Sequence, residues 1–242
     1  MFSRLIVLVC LNLIMMFAYA EEGRTRIGYA YDKQTEKLVY IENHFEEYVD
    51  GMILTSRVIY TDSSEKIIAS KTVDFSNNEF MPEFALQNSE TGHKEITRFV
   101  QSEYEITFSK KGTAEEEEAR LSYPADGISD AGFDNFIIKH WDELTAGEVF
   151  KRNFLIPSML NFIKFRIYQD EIIDEEGQSL RVINIEPDSF FIRVFAGTTK
   201  LFYDKAQPKL RKFDGISNMR DSNGANYKVT IKYEEAKKLT AS

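Results

Sequence analysis

The segment Tyr227-Lys228-Val229-Thr230-Ile231-Lys232-Tyr233 alternates apolar and polar side chains without a fault, and the same period of two recurs in Lys37 to Tyr40, Met52 to Tyr60 and Ile96 to Phe108, with a break near Gln101. Successive side chains of an extended strand point to opposite faces, so such a segment buries one face and wets the other. This is the habit of antiparallel sheets; strands of parallel sheets are covered on both faces and read as continuous apolar runs. Turn formers punctuate the runs at Asp50-Gly51, Asp62-Ser63-Ser64, Glu90-Thr91-Gly92, Lys110-Lys111-Gly112, Asp174-Glu175-Glu176-Gly177 and Ser222-Asn223-Gly224. Reversals this short join neighbouring strands as hairpins, so a meander is expected. The fold class read from the pattern is mainly β: a curved antiparallel sheet or open half-barrel with one or two short helices packed against it.

Two segments break the period. Between Ala131 and Leu144, Phe133, Phe136, Ile137, His140, Trp141 and Leu144 recur at spacings of three and four, with Asp130 placed as an N-cap and Gly147 beyond the end. That spacing predicts a short helix over 131–144. Ser189 to Ala196 lies between Asp188, a cap candidate, and Gly197, a C-terminal stop. Its Phe190, Phe191, Ile192 and Val194 suit a buried strand as well as a helix, and the helix is the favoured reading.

At the N-terminus, Arg4 precedes an apolar stretch from Leu5 to Phe17 interrupted by Asn12, and Ala18-Tyr19-Ala20 stands before Glu21-Glu22. This is the order of a cleavable secretory signal, and the apolar stretch falls short of the roughly 20 residues a spanning helix needs. Cleavage after Ala20 is expected, with an uncleaved anchor as the alternative, and residues 21–242 then form a single antiparallel β domain that does not span a membrane. Cys10 is the only cysteine and follows Val9, not the small residue a lipoprotein signal requires. With it go disulfides, thiol catalysis and cysteine metal sites. Loss of Arg4 leaves 29 cations against 39 acids, a balance that opposes nucleic acid or an anionic membrane as the main partner.

Chemical motifs are sparse. His44, His93 and His140 are scattered without the close pairing of metal ligands, and His140 beside Trp141 reads as a hydrogen-bonded core residue. No serine occupies a Gly-x-Ser-x-Gly elbow and no glycine-rich phosphate loop follows a strand. Glu115 to Glu118 lack the calcium-loop spacing and read as a solvated loop or strand entry. No catalytic residue, metal or cofactor is assigned. The informative constellation is apolar: 19 Phe and 12 Tyr imply a large apolar interior. Each phenylalanine alone reads as core, but a curved sheet with helices against it could enclose an apolar cavity. The candidate lining residues are Phe136, Trp141, Phe154, Phe165, Phe190 and Phe191.

The order of signal segment, antiparallel strands, Gly132-Phe133-Asp134-Asn135-Phe136-Ile137 with Trp141, the strand Asn161 to Ile167, and Lys209 to Asn218 leading into Tyr227 to Tyr233 resembles a group of uncharacterised exported proteins of Gram-negative bacteria. In its firmest stretch, Phe213-x-Gly215-x-Ser217-Asn218, Gly215 suits a positive φ between two strands and Asn218 a left-handed or side-chain-capped turn, both architectural roles. More distantly the architecture is similar to the periplasmic lipoprotein-carrier superfamily, in which an open, strongly curved antiparallel sheet wraps helices around an apolar ligand site. The resemblance implies export to the periplasm, or secretion, and the binding or carriage of a lipid or acyl chain; it transfers no site residue. The alternative is a cell-envelope interaction module with a filled core and a protein partner at a sheet edge. A carboxylate hydrolase ranks behind these. So does an outer-membrane barrel, opposed by the polar tail Glu234 to Ser242 and by Lys164 and Arg166 at strand positions.

Overall fold

The computed structural model describes residues 24–110 and 115–236; the expected signal segment and part of the Lys110-Lys111-Gly112 turn lie outside them. The strands are β1 (Arg24–Asp32), β2 (Leu38–Val49), β3 (Met52–Thr61), β4 (Ile67–Asp74), β5 (Glu83–Asn88), β6 (Lys94–Val100), β7 (Glu103–Ser109), β8 (Glu117–Ser122), β9 (Gly127–Ile128), β10 (Val149–Ile156), β11 (Asn161–Glu175), β12 (Gln178–Pro187), β13 (Thr199–Asp204), β14 (Leu210–Arg220) and β15 (Asn226–Glu235). Three short helices, α1 (Phe133–Lys139), α2 (Trp141–Thr145) and α3 (Phe190–Ala196), and a 3₁₀ turn at Pro157–Met159 interrupt them.

All strands join one sheet in the order β8-β7-β6-β5-β4-β3-β2-β1-β15-β14-β13-β12-β11-β10-β9, antiparallel except for the short β9–β10 pair. The expected meander is therefore two meanders joined where β1 pairs with β15. Several hairpins reverse where turn chemistry placed them: Asp50 and Gly51 have φ of 52° and 81°, and Glu176 and Gly177 52° and 78°, positive values at both central positions as the hairpin twist requires.

The two outermost strands, β8 and β9, are consecutive in the chain, separated only by residues 123–126. Laid flat, this sheet would be about 65 Å wide at the usual strand spacing, whereas the connection reaches at most about 18 Å. The sheet must roll up. Cross-strand neighbours trace its inner face from Arg26 through His44, Val58, Lys71, Leu86 and Glu95 to Phe108. On the other half the inner face carries Ile231, Phe213, Leu201, Ile183, Ile167 and Phe150. Leu155 and Phe162 are paired on the opposite, outer face of β10–β11, yet they pack against Met81, Tyr104 and Ile106 of the other half. One edge of the sheet is thus tucked beneath the other, as in a scroll, closed by side-chain packing and by a backbone hydrogen bond from Ser129 N to Phe80 O.

Helices α1 and α2 lie within the roll, where Phe136, Ile137 and Leu144 join Ile167, Ile183, Ile185, Leu201 and Tyr203 in one core cluster. The predicted single helix over 131–144 is broken at His140, whose φ of −105° and ψ of 27° end one helix and begin the next. Asp130 is not its cap. Gly132 occupies that position, because the chain here passes so close to Phe80 that a Cβ on residue 132 would stand 2.1 Å from the Phe80 carbonyl oxygen. Gly215 and Asn218, expected in a turn, instead lie inside β14. Gly215 is needed for a close approach, since a Cβ there would meet Thr199 Oγ1 at 2.8 Å. Asn223-Gly224 does form a reversal, with Gly224 at φ 86°.

A polar chamber inside the scroll

Between α1 and strands β1–β4, β14 and β15 lies a cavity of about 150 Å³. Much of its lining is charged. The reason is local: on β1 and β2 the inward positions fall to Arg26, Glu42, His44 and Glu46, in phase with the buried Ala30 and Tyr40. Gly28, between Arg26 and Ala30, opens the space for them, because a Cβ there would lie 2.8 Å from the Tyr233 ring and 3.1 Å from Glu42.

Glu42 Oε2 lies 3.0 Å from His44 Nε2 and accepts a hydrogen bond from the Tyr233 hydroxyl at 3.2 Å. Burial, reinforced by the charge of Arg26, holds the His44 imidazole below its usual range despite Glu42. The neutral ring therefore presents Nε2–H to the carboxylate. The Arg26 guanidinium lies over the Tyr233 ring, 4.6 Å from its centre, and 3.7 Å from Glu46. Its Nε has no hydrogen-bond partner among the described residues. Though deep in the molecule, the Arg26 side chain keeps 24% of its surface exposed, and Arg26 lines the cavity. Burial would lower its pKa, but Tyr233, Asp134, Glu46 and Glu42 together raise it, so the cation persists.

Helix α1 supplies the opposite wall. Asp134 accepts a 2.6 Å hydrogen bond from the Tyr203 hydroxyl, and desolvation raises its pKa in spite of Arg26 and that bond. Just before α1, Asp130 pairs with Lys71 and accepts from Asn218 Nδ2 at 3.2 Å, which is where the sequence-expected cap residue goes. Tyr40 and Ser217 hydroxyls meet at 2.8 Å. At the rim, where β3 begins and β4 ends, Ile53 and Phe75 line the cavity. Beside them the exposed Tyr48 donates to Glu46 at 2.9 Å. The acids Glu42, Glu46, Asp130 and Asp134 outnumber the cations Arg26 and Lys71 along the lining, so the chamber carries a net negative charge.

The six expected lining residues go elsewhere. Phe136 is buried, with its ring centre 5.3 Å from both Phe80 and Phe150. Trp141 lies edge-on to Tyr203 at 5.6 Å, and Phe154 and Phe165 stack at 5.0 Å. These four belong to one packed core next to the chamber, and none of them lines it. Phe190 and Phe191 point outward, 67% and 79% exposed, because α3 attaches to the outer face of β12. Of the histidines, only His44 reaches the chamber. His93 is buried between Ser109 O and Glu95, at 2.8 and 3.1 Å. His140 is only half-buried, wedged among Phe80, Phe136 and Phe150. Among the described residues no three of His, Cys, Asp and Glu converge as a metal set.

No family model matches the sequence, and no curated protein matches it at a significant level. Among solved structures the chain is similar to a β-barrel-like protein of domain of unknown function DUF1849 from Brucella abortus, with a TM-score of 0.48, 6% identity, and coverage of 88% of this chain and 96% of that one. It is also similar to a DUF1329 family protein from Desulfovibrio piger, with a TM-score of 0.29, 8% identity, and coverage of 96% and 92%. A third is a domain from Vibrio parahaemolyticus named for outer-membrane lipoprotein sorting, with a TM-score of 0.30, 9% identity, and coverage of 96% and 93%.

Proposed function

We propose that the protein is an exported, periplasmic binding protein that takes the polar end of a lipid-like ligand into the chamber and leaves the apolar remainder at its rim. The observation that carries this reading is the change of polarity along one path. Arg26, Glu42, His44 and Asp134 line the cavity, Ile53 and Phe75 form its rim, and the adjoining β2–β3 hairpin exposes Tyr48, Val49 and Met52. A volume of about 150 Å³ equals roughly five water molecules at about 30 Å³ each. It is below the roughly 300 Å³ at which whole-ligand pockets begin, so a head group fits and an acyl chain does not. The excess of acids over cations selects a head that carries an ammonium group. Binding rather than catalysis is the reading because most of the charged groups in the chamber are engaged with one another.

The mature protein, purified from a bacterial host and examined by native mass spectrometry and solvent extraction, is expected to carry an amphipathic molecule. Glu46→Gln removes one acidic charge from the lining and is expected to weaken retention about tenfold or more, the scale of a charged hydrogen bond. A wild-type protein with no extractable molecule and no affinity for a fluorescent amphiphile would sink the proposal. The close packing of Phe136, Phe150 and Phe80 would then favour the second reading, an envelope interaction module with a filled core.

A further inference from the structure

Helix α3 has the polarity of a surface helix reversed. Such a helix normally buries its apolar stripe and wets its charges. Here the only charged residue, Arg193, faces the protein: its guanidinium lies 3.1 Å from Glu186 Oε1 and donates to the carbonyls of Pro187 and Asp188 at 3.2 Å each. Glu186 is also held by Thr198 Oγ1 at 2.5 Å and Arg166 Nε at 2.6 Å. Burial alone would raise the Glu186 carboxyl, but Thr198, Arg166 and Arg193 outweigh it and keep the root ionised. Meanwhile Phe190, Phe191, Ile192 and Val194 are 67%, 79%, 40% and 64% exposed. A polar root thus presents an apolar crown to the outside.

The size of the crown bears on its occupant. Seven residues make a helix about 10 Å long and about 10 Å across, a face on the order of 100 Å². A folded partner or a second copy of the chain needs about 800 Å² on each side. A bilayer surface has no such minimum, because binding there scales with the apolar area buried plus the attraction to anionic lipids. The surroundings suit lipid head groups. Lys151 and Arg166 are cross-strand neighbours on the outer face, Lys151 reaches Asp188 at 3.0 Å, and Lys164 O accepts from the Asp188 amide. With Arg193, and with Lys164 on the same outer face two residues before Arg166, four cations stand near two carboxylates at the foot of α3, a basic patch on a chain whose net charge is −9.

We infer that α3 is a lipid-surface docking element: Phe190 and Phe191 enter the head-group boundary of a phospholipid bilayer while Lys151 and Lys164 meet anionic phosphates. The inference is independent of what fills the chamber. It also limits the meaning of the overall acidity, which opposes broad electrostatic adhesion but not a local foothold.

The test is flotation of the full mature protein with phosphatidylcholine vesicles, with and without phosphatidylglycerol. Wild type is expected to float with the mixed vesicles, and F190S/F191S to bind about a hundredfold more weakly, given the transfer energy of two phenylalanines. Both rings are exposed, so the variant should keep the wild-type melting temperature, which separates loss of docking from loss of fold. K151E/K164E should lose the preference for phosphatidylglycerol. Failure of wild type to float, or equal flotation of F190S/F191S, overturns the inference. So would wild-type self-association that F190S/F191S abolishes without any vesicle binding, which would make α3 a protein contact.

Discussion

Replacement of Phe136 by alanine separates a packed plug from a ligand-lined cavity. Phe136 is 1% exposed, with Phe80 and Phe150 edge-on to its ring and the Arg152 guanidinium 4.9 Å from its centre. Full burial of such a ring contributes about 1.5–3 kcal/mol by transfer, and the hole left beneath α1 raises the total for Phe→Ala to about 3–5 kcal/mol. Because Phe136 touches both β5-side and β10-side rings, little collapse is open to the site, so the upper half of that range is expected. For a domain of this size each kcal/mol shifts the melting temperature by about 2–4 °C, so Phe136→Ala should melt about 8–20 °C below wild type. Urea unfolding should show a lower midpoint at an unchanged slope. A loss under about 1 kcal/mol would refute the reasoning: Phe136 would then face a hollow, as the sequence reading had it, and the roll would not be held by its plug.

Gly132→Ala should cost at least about 1–3 kcal/mol in the same denaturation assay, since the added methyl meets the Phe80 backbone, which no side-chain rotation can move. The chamber also sets pH dependence. The depressed His44 contributes stability that is present above its unfolded value of 6.5 and is lost as pH falls through the folded value; the urea midpoint of wild type should therefore drop between pH 7 and pH 5 more than that of His44→Gln. The raised Asp134 acts in the opposite sense, its contribution being full below the unfolded value of 3.8 and lost as pH climbs through the folded one. Asp134→Asn should accordingly gain on wild type as pH rises from 4 to 7, and a constant difference would show that Asp134 does not titrate in the native state.

Much of the fold was readable because strand signals are local. The period of two in Tyr227 to Tyr233 became β15, the break near Gln101 became the β6–β7 reversal with Gln101 and Ser102 at positive φ, and Asp174 to Gly177 became the β11–β12 turn. The roll was less legible. It follows from strand order, which the pairing of β1 with β15 decides, and no local feature of Arg24–Asp32 announces that partner. Backbone approaches between distant segments were equally hidden. Gly132 and Gly215 are explained by Phe80 and Thr199, neighbours that no short stretch of sequence reveals, and so Asp130 looked like a cap and Gly215 like a turn.

The chamber was nearer to legibility than its absence from the sequence reading suggests. Once Tyr40 is placed on the buried face of β2, alternation puts Glu42, His44 and Glu46 on that face too. Three ionisable side chains in phase with the apolar face are a local contradiction, and such contradictions concentrate at functional sites, where folding stability is given up for something else. The aromatic load pointed the other way because phenylalanine fills cores far more often than it lines cavities. The two signals differ in kind. Phe136, Trp141, Phe154 and Phe165 agree with the fold and are accounted for by it, whereas Arg26, Glu42 and His44 bring polar groups to positions that the apolar phase of β1 and β2 would fill. Ionisable groups set where apolar ones would pack mark the chamber, not the phenylalanine-rich core beside it, as the place to look for a ligand.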